Sequence, residues 1–442
     1  MTVTARPALR PARTLVRYTF RHGVPAAFLA VGARRDDPIG RVLRRRAGAE
    51  PYALYEQIRA RGPLSPSGIG LVTASHAVTQ EVLRSDSFGS AWDLAALPGV
   101  PGVVHRLLAF GDELDATGVA EPPSMLVADP PDHTRLRRLV SRSFTPRATL
   151  ASESMIQATA DRLLDELDRR AVDGPVDLVD AYAAQLPVLV IADLLGVPTD
   201  RREDFLRWGA AAAATLDVGL PFRRYVAAEN ALRAMHAFLR EHFDRLRRDP
   251  GEDLVSRLVT LPADDALTER ELHATVMLLL GAGFETTVNL IGNAVALVDA
   301  HRDQWDALAA EPAGWDDAVE EVLRIDSPVQ LTGRTARADV ELAGHAVPEG
   351  TRVTVLLGAA NRDPAVFEEP ARFDVTRPNA REHLAFSAGI HYCLGAGLAR
   401  LEAVVALRAL TERFPALRVA GPGERRDLRT LRGFEVLPVR LR

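Results

Sequence analysis

The 442-residue chain contains one cysteine, Cys393, in surroundings unlike those of a packed thiol. Residues 386–395 read Phe386-Ser-Ala-Gly389-Ile-His391-Tyr-Cys393-Leu-Gly395, and an apolar helical pattern follows through Arg400. A cysteine in a tight glycine loop feeding a helix can be held as a thiolate by backbone N–H groups and the helix N-terminus. The glycines let the backbone approach a flat cofactor closely. A second constellation is Ala282-Gly283-Phe284-Glu285-Thr286-Thr287, an acid and two hydroxyls inside an otherwise apolar stretch. A buried carboxylate is costly unless hydrogen-bonded or functional. A threonine hydroxyl can bond the carbonyl one turn back and distort the helix, opening room beside it. A third is His133 and Arg137, four apart after Pro130-Pro131, on one helical face where two cations suit a carboxylate-bearing ligand. Arg135, Arg138 and Arg142 fall on a different face.

These groups need elements to hold them. Helical apolar spacing runs through Ala151 to Arg170, Tyr225 to Leu246 and Leu401 to Phe414. Thr268-Glu269-Arg270-Glu271 fits a capping box, and it opens a stretch from Leu272 to about Val298 that is apolar on nearly every face. Such a helix must run through the middle of the molecule and carry the acid–hydroxyl cluster there. Strand signals are fewer: Ile69 to Thr73, a hairpin of Val340–Leu342 with Val353–Val355, and a terminal pair within Phe434–Leu441. The expected fold is mainly α, a large helical domain with a small β-rich lobe. One domain over residues 41–442 follows a basic Pro/Arg-rich leader over 1–40, read as flexible.

The cysteine segment resembles the haem-binding loop of the cytochrome P450 family, Phe-x-x-Gly-x-His-x-Cys-x-Gly, with Ser387 where that family often has glycine. The resemblance extends from about residue 50 to the C-terminus and is of the soluble bacterial, actinobacterial type. It implies heme b (iron protoporphyrin IX), with Cys393 as the iron ligand, and O2 as co-substrate. It also implies that His133, Arg137, Arg334 and His391 face the haem propionates, with Phe386 and Ala282 lining the cofactor. Thr286 would hydrogen-bond the oxygen under activation and Glu285 would relay protons. Glu321-Val-Leu-Arg324 matches the family's structural Glu-x-x-Arg pair, with Arg377 as third member and Arg372 as rival, and Asn361-Arg-Asp-Pro364 also matches. The implied reaction is insertion of one oxygen atom from O2 into a hydrophobic small molecule by hydroxylation or epoxidation. The motif wording leans toward polyketide-type natural products. Electrons would come from a separate ferredoxin and ferredoxin reductase, with Arg135, Arg138 and Arg142 as docking residues. Pocket walls would come from residues 90–110, 208–220, Ala282, 328–332 and Phe434.

Composition narrows the alternatives. Net charge is −5 with eleven arginines in the first 50 residues, but no aromatic interleaving or nucleic-acid module accompanies them. No apolar run reaches the roughly 18 residues of a spanning helix, and a single cysteine gives no oxidised, secreted framework. The expectation is a cytoplasmic enzyme without nucleic-acid or membrane partners. Competing readings are a peroxide-driven peroxygenase, which often lacks the Glu285–Thr286 pair, a non-catalytic haem sensor, and a helical scaffold with a merely packed Cys393.

Overall fold

The computed structural model describes residues 10–46, 48–90, 102–111 and 117–442. Its axis is the helix Glu269–Ala300, 32 residues long. Thr268 caps it by accepting from the Glu271 amide, and the Glu271 carboxylate takes the Thr268 amide at 2.9 Å, so the capping box is formed. Its apolar faces are covered by protein on nearly every side, and one core cluster unites Phe284, Val288 and Ile291 with Leu163, Ile191, Leu239 and Leu407. The helix has the length and composition to cross a membrane, but 83% of its most apolar stretch is buried in this core.

Helices Glu153–Arg170, Gln185–Leu194, Arg202–Ala214, Phe222–Arg248 and Ala396–Arg413 pack around that axis. Against the spans expected from spacing, Phe222–Arg248 is longer at both ends, Ala396–Arg413 starts five residues earlier and ends one earlier, and Glu153–Arg170 starts two residues later. The crossing of Arg202–Ala214 over the central helix is close enough to require glycine. A Cβ on Gly209 would sit 1.8 Å from the Phe284 ring.

The β lobe is a five-stranded sheet in the order Ser65–Ser67, Gly70–Thr73, Arg352–Val355, Thr332–Ala336, Phe88–Gly89. Here the expected hairpin is corrected. Val340–Leu342 pairs with His345–Val347 across the Ala343-Gly344 turn, whereas Arg352–Val355 lies antiparallel to Thr332–Ala336 and parallel to Gly70–Thr73. Both spans are strands, but three-residue alternation cannot say which strand is the partner. Likewise Phe434–Val436 and Pro438–Arg440 join different sheets rather than each other.

The basic N-terminal segment is also corrected. From Arg10 onward it is not a flexible leader but two helices, Arg10–Tyr18 and Val24–Arg34, joined by a π turn. Arg17 donates from Nε to Glu229 at 2.7 Å and from Nη1 to the Gly111 carbonyl at 2.6 Å, so the segment is riveted to two other helices.

Glu321 and Arg324, both at zero side-chain exposure, pair bidentately at 2.6 and 2.8 Å. Arg377 adds Nε at 3.2 Å, while Arg372 contributes only its carbonyl, so Arg377 is the third member. Arg324 also donates to the carbonyls of Asn361 and Pro370. The knot ties the helix Trp315–Ile325 to the strand-free loops preceding Cys393. Removing one partner leaves an uncompensated buried charge, so Glu321→Ala is expected to lower unfolding free energy by about 3–5 kcal/mol. Chemical denaturation of the purified protein measures this, and a loss below about 1 kcal/mol would contradict a structural knot.

Candidate functional site

The cysteine loop lies between the β lobe and the helix Ala396–Arg413. The Cys393 amide donates to the Phe386 carbonyl at 2.9 Å, closing the loop. Gly389 at φ +67° passes so close to residue 83 that a Cβ there would lie 2.3 Å from the Leu83 carbonyl oxygen. Ser387 is held at φ +63°, a left-handed conformation that glycine adopts without strain. Its hydroxyl oxygen is buried without a partner among the described residues.

Burial raises the Cys393 thiol pKa, while the Gly395 amide, Arg137 and Arg400 pull it back. The protein alone leaves this group a thiol, and a cation at sulfur is what would make it a thiolate. Arg137 donates to the Tyr392 carbonyl at 2.8 Å, and Arg400 lies 4.5 Å over the Phe386 ring. Phe386 is thus fixed beside the Arg400 guanidinium, with His383 and Tyr392 as ring neighbours.

His133 and His391 meet with ring centroids 4.2 Å apart, and each Nε2 is buried without a partner among the described residues. Burial, then Arg334 and His133, push His391 down to about 3, and burial with Arg137 lowers His133. Arg334 is 5% exposed, donates only to the Gly333 carbonyl and the Thr332 hydroxyl, and has no carboxylate partner among the described residues. Burial and neighbouring Arg352 lower it to about 10. The structure therefore gathers His133, Arg137, Arg334, His391 and Cys393 into one donor-rich region whose opposing charge, Asp129, is already ion-paired with Arg337 at 2.8 Å. This is the arrangement a flat dianionic ligand with a metal centre fits. Gly395 adds space, since nothing lies within 4 Å of where its Cβ would be.

On the central helix, Ala282 is exposed although most of the helix around it is buried, and Thr286 one turn on is half-buried, so these two face open space. The Thr286 hydroxyl donates to the Ala282 carbonyl at 3.1 Å. Glu285 points elsewhere. It lies 2.9 Å from Arg426 Nη1, and Arg426 also contacts Glu435 at 3.2 Å. Burial raises the Glu285 pKa, Arg426 opposing and Glu435 assisting. The acid and the alcohol share a helix turn but not a hydrogen bond. Arg426 was not anticipated, since it lies 141 positions away and no spacing connects it to Glu285.

Glu320 was also missed. Its carboxylate, 2% exposed, accepts from Arg400 at 2.6 Å and His383 at 3.0 Å, and Arg381 adds a contact at 3.3 Å. Burial works against the charge, but His383 and Arg400 hold its pKa down to about 2. It braces the cysteine helix against the helix Trp315–Ile325; the Glu320-Glu321 doublet was its only signal. Of the expected docking arginines, Arg135 is paired with Glu271 and Arg138 with Asp265 at 2.5 Å, leaving Arg142 exposed. Among the expected pocket walls, residues 91–101 lie outside the described residues. Trp208 belongs to an aromatic core group with Phe205 and Phe238. Phe434 packs near Gly292 and under Arg425, about 15 Å along the helix from Ala282.

The family model "Cytochrome P450" matches residues 315–426, the span holding Glu321, Arg334 and Cys393. A Mycobacterium tuberculosis protein named as a cytochrome P450 is 43% identical over 425 residues, covering 95% of this chain and 96% of its own. The 6-deoxyerythronolide B hydroxylase of Saccharopolyspora erythraea is 43% identical over 405 residues, covering 88% of this chain and 96% of its own. The solved structure of Mycobacterium smegmatis CYP164A2 without ligand superposes with a TM-score of 0.78 at 41% identity, over 91% of this chain and 99% of that one.

Loop geometry makes a paired prediction. Gly389→Ala is expected to cost about 2 kcal/mol or more, because it combines left-handed backbone with a clash. Ser387→Gly is expected to be neutral or stabilising by up to about 1 kcal/mol. Denaturation midpoints of the two variants measure this, and the reverse order would refute the loop conformation.

Proposed function

Because the chain belongs to the cytochrome P450 family, haem monooxygenases that use haem b with O2 as co-substrate, we propose that Cys393 is the thiolate ligand of the iron. The observation that carries this is the solitary half-buried cysteine beside buried donors that, among the described residues, make no hydrogen bond or ion pair to a carboxylate. His133, Arg137, Arg334 and His391 would take the propionates, Arg334 as the charge otherwise least compensated. Phe386 would pack on the thiolate side, and Ala282, whose side chain is a single methyl, would leave room on the opposite face.

When bound, the haem supplies the oxidising chemistry, and a thiolate ligand favours O–O cleavage. The protein's share is orientation and protons. Thr286 presents a hydroxyl at the open face of the central helix, able to donate once it leaves the Ala282 carbonyl. Glu285, its pKa raised by burial, holds a proton more readily than a surface carboxylate and serves as the acid that replenishes Thr286. Both are the catalytic residues of this reading, and their joint presence favours O2 with external electrons over a peroxide-driven reaction.

The substrate is a hydrophobic small molecule, oxidised by hydroxylation or epoxidation. Likeness to a protein named 6-deoxyerythronolide B hydroxylase supports polyketide-type natural products as the preferred class. Two electrons come from a separate ferredoxin and ferredoxin reductase in the cytoplasm. With Arg135 and Arg138 engaged in ion pairs, Arg142 and the cysteine-side surface around Tyr392 are the better candidates for that contact.

The testing experiment is the carbon monoxide difference spectrum of the dithionite-reduced protein. A strongly red-shifted Soret band is expected for the wild type and its loss for Cys393→Ser. A wild-type haem band without the shift would overturn thiolate ligation. Thr286→Ala is expected to retain haem and substrate-induced spectral shifts while diverting most reducing equivalents to peroxide. NADPH consumed against product formed measures that split, and tight coupling in the variant would remove Thr286 from proton delivery.

A further inference from the structure

The N-terminal helix Val24–Arg34 buries Leu29 and turns three large apolar side chains outward, one per turn: Val24, Phe28 and Val31, exposed by 56, 49 and 47%. Other segments extend the same surface. Phe28 lies against Gly68, next to exposed Ile69, where a Cβ on the glycine would be 3.0 Å from the ring. A Cβ on Gly219 would be 3.2 Å from Ala26, and its neighbour Val218 is exposed. Exposed Phe222 continues the patch and packs edge-on against Tyr18 at 4.9 Å. Singly exposed apolar residues need no explanation, but a contiguous patch from three chain segments does.

Charge at the rim is one-sided. The stripe of Val24, Phe28 and Val31 continues at helical spacing to Arg35, with Arg34 beside it, and Arg223 follows Phe222. All three arginines are exposed and have no carboxylate partner among the described residues. Nearby acids are already engaged: Asp36 by Arg41 and Arg61, Glu121 by Arg21, Asp427 by Arg224 and Arg429. Asp37 accepts from the Gly40 and Gly68 amides. An apolar helix face rimmed by uncompensated arginines is the pattern of a helix lying in the plane of an anionic lipid surface. The helix has 11 residues and so spans about 16 Å, too short to cross a bilayer.

We propose that this face, formed by Val24, Phe28, Val31, Ile69, Val218 and Phe222, docks the enzyme peripherally on anionic lipid bilayers. The loop bearing Val218 leads directly from the helix Arg202–Ala214, whose Gly209 and Ala212 press on Phe284 and Gly281 beside Ala282. Docking therefore places a bilayer one loop from the open face of the central helix, where a lipid-dissolved hydrophobic compound is concentrated. The docking itself does not depend on the substrate reading and is tested without turnover.

The test is co-sedimentation of the haem-loaded full chain with phosphatidylglycerol vesicles, and with phosphatidylcholine vesicles as the uncharged control. Wild type is expected to sediment with phosphatidylglycerol at low salt and much less with phosphatidylcholine or at high salt. Val24→Asp/Phe28→Asp and, separately, Arg34→Glu/Arg35→Glu are each expected to weaken binding about tenfold or more. Their carbon monoxide spectra and melting temperatures should stay those of the wild type, because all four positions are exposed. Wild type remaining in the supernatant overturns the proposal, as does undiminished binding by either double variant. A wild-type dimer that Val24→Asp/Phe28→Asp converts to monomer, without vesicle binding, assigns the face to a second copy and also overturns it.

Discussion

Buried positive charge that outweighs the acid beside it among the described residues is the constraint on which this molecule turns. Around the cysteine loop the fold brings together Arg334, His133, His391 and Arg137, and the acid that acts on them, Asp129, is itself ion-paired with Arg337 at 2.8 Å. Sequestering a guanidinium and two imidazole nitrogens from water costs several kcal/mol unless partners complete them. His391 answers by giving up its proton, with its pKa near 3, and Arg334 cannot do so at physiological pH. A dianionic cofactor held there, as proposed, would resolve both problems and make cofactor binding and folding parts of one equilibrium.

The contrast with the other buried ion clusters is informative. Glu321, Arg324 and Arg377 are closed among themselves and with backbone carbonyls. Glu320 is closed by Arg400 and His383. Asp326 is closed by Tyr52 at 2.6 Å, Arg432 at 2.5 Å and Arg425 at 3.2 Å. Each joins segments far apart in the chain; the first ends on the loops that precede the cysteine loop, and the second reaches Arg400 on the cysteine helix. Saturated clusters thus form the frame around the unsaturated one, which lets the loop hold Ser387 and Gly389 in left-handed backbone without collapsing onto the open site.

What could be read in the sequence follows the range of the interactions. The cysteine loop, the capped central helix and the Glu321–Arg324 pair depend on residues within a turn or two, and their spacing displays them. Arg377 over Arg372 was reached only through the resemblance, since nothing in the spacing shows that Arg377 turns in to Glu321 while Arg372 turns out to Glu369. Pairings that close over long loops were opaque: the partner of Arg352–Val355, the Arg426 contact to Glu285, and the Arg17–Glu229 rivet. Composition made the N-terminus look unstructured, because the arginine that pins it reads the same as one that is solvated. The coverage of 95% by the mycobacterial relative leaves only about 22 residues unmatched, so part of the first 40 belongs to the shared fold.

The arrangement at Glu285 bears on how protons could reach the open face. Successive residues on a helix project about 100° apart, so Glu285 and Thr286 diverge, one toward Arg426 and the other toward the space beside Ala282. Arg426 is shared with Glu435, whose side chain is 61% exposed, so the buried acid is one ion-paired residue away from solvent. An arginine stays charged and does not itself pass the proton. What it does is set the cost of Glu285 turning toward Thr286: the carboxylate must leave a buried cation, whereas the neutral acid leaves it easily. Protonation and reorientation of Glu285 are therefore coupled, so that in the proposed role the side chain would be freed for Thr286 in the very state that has a proton to give.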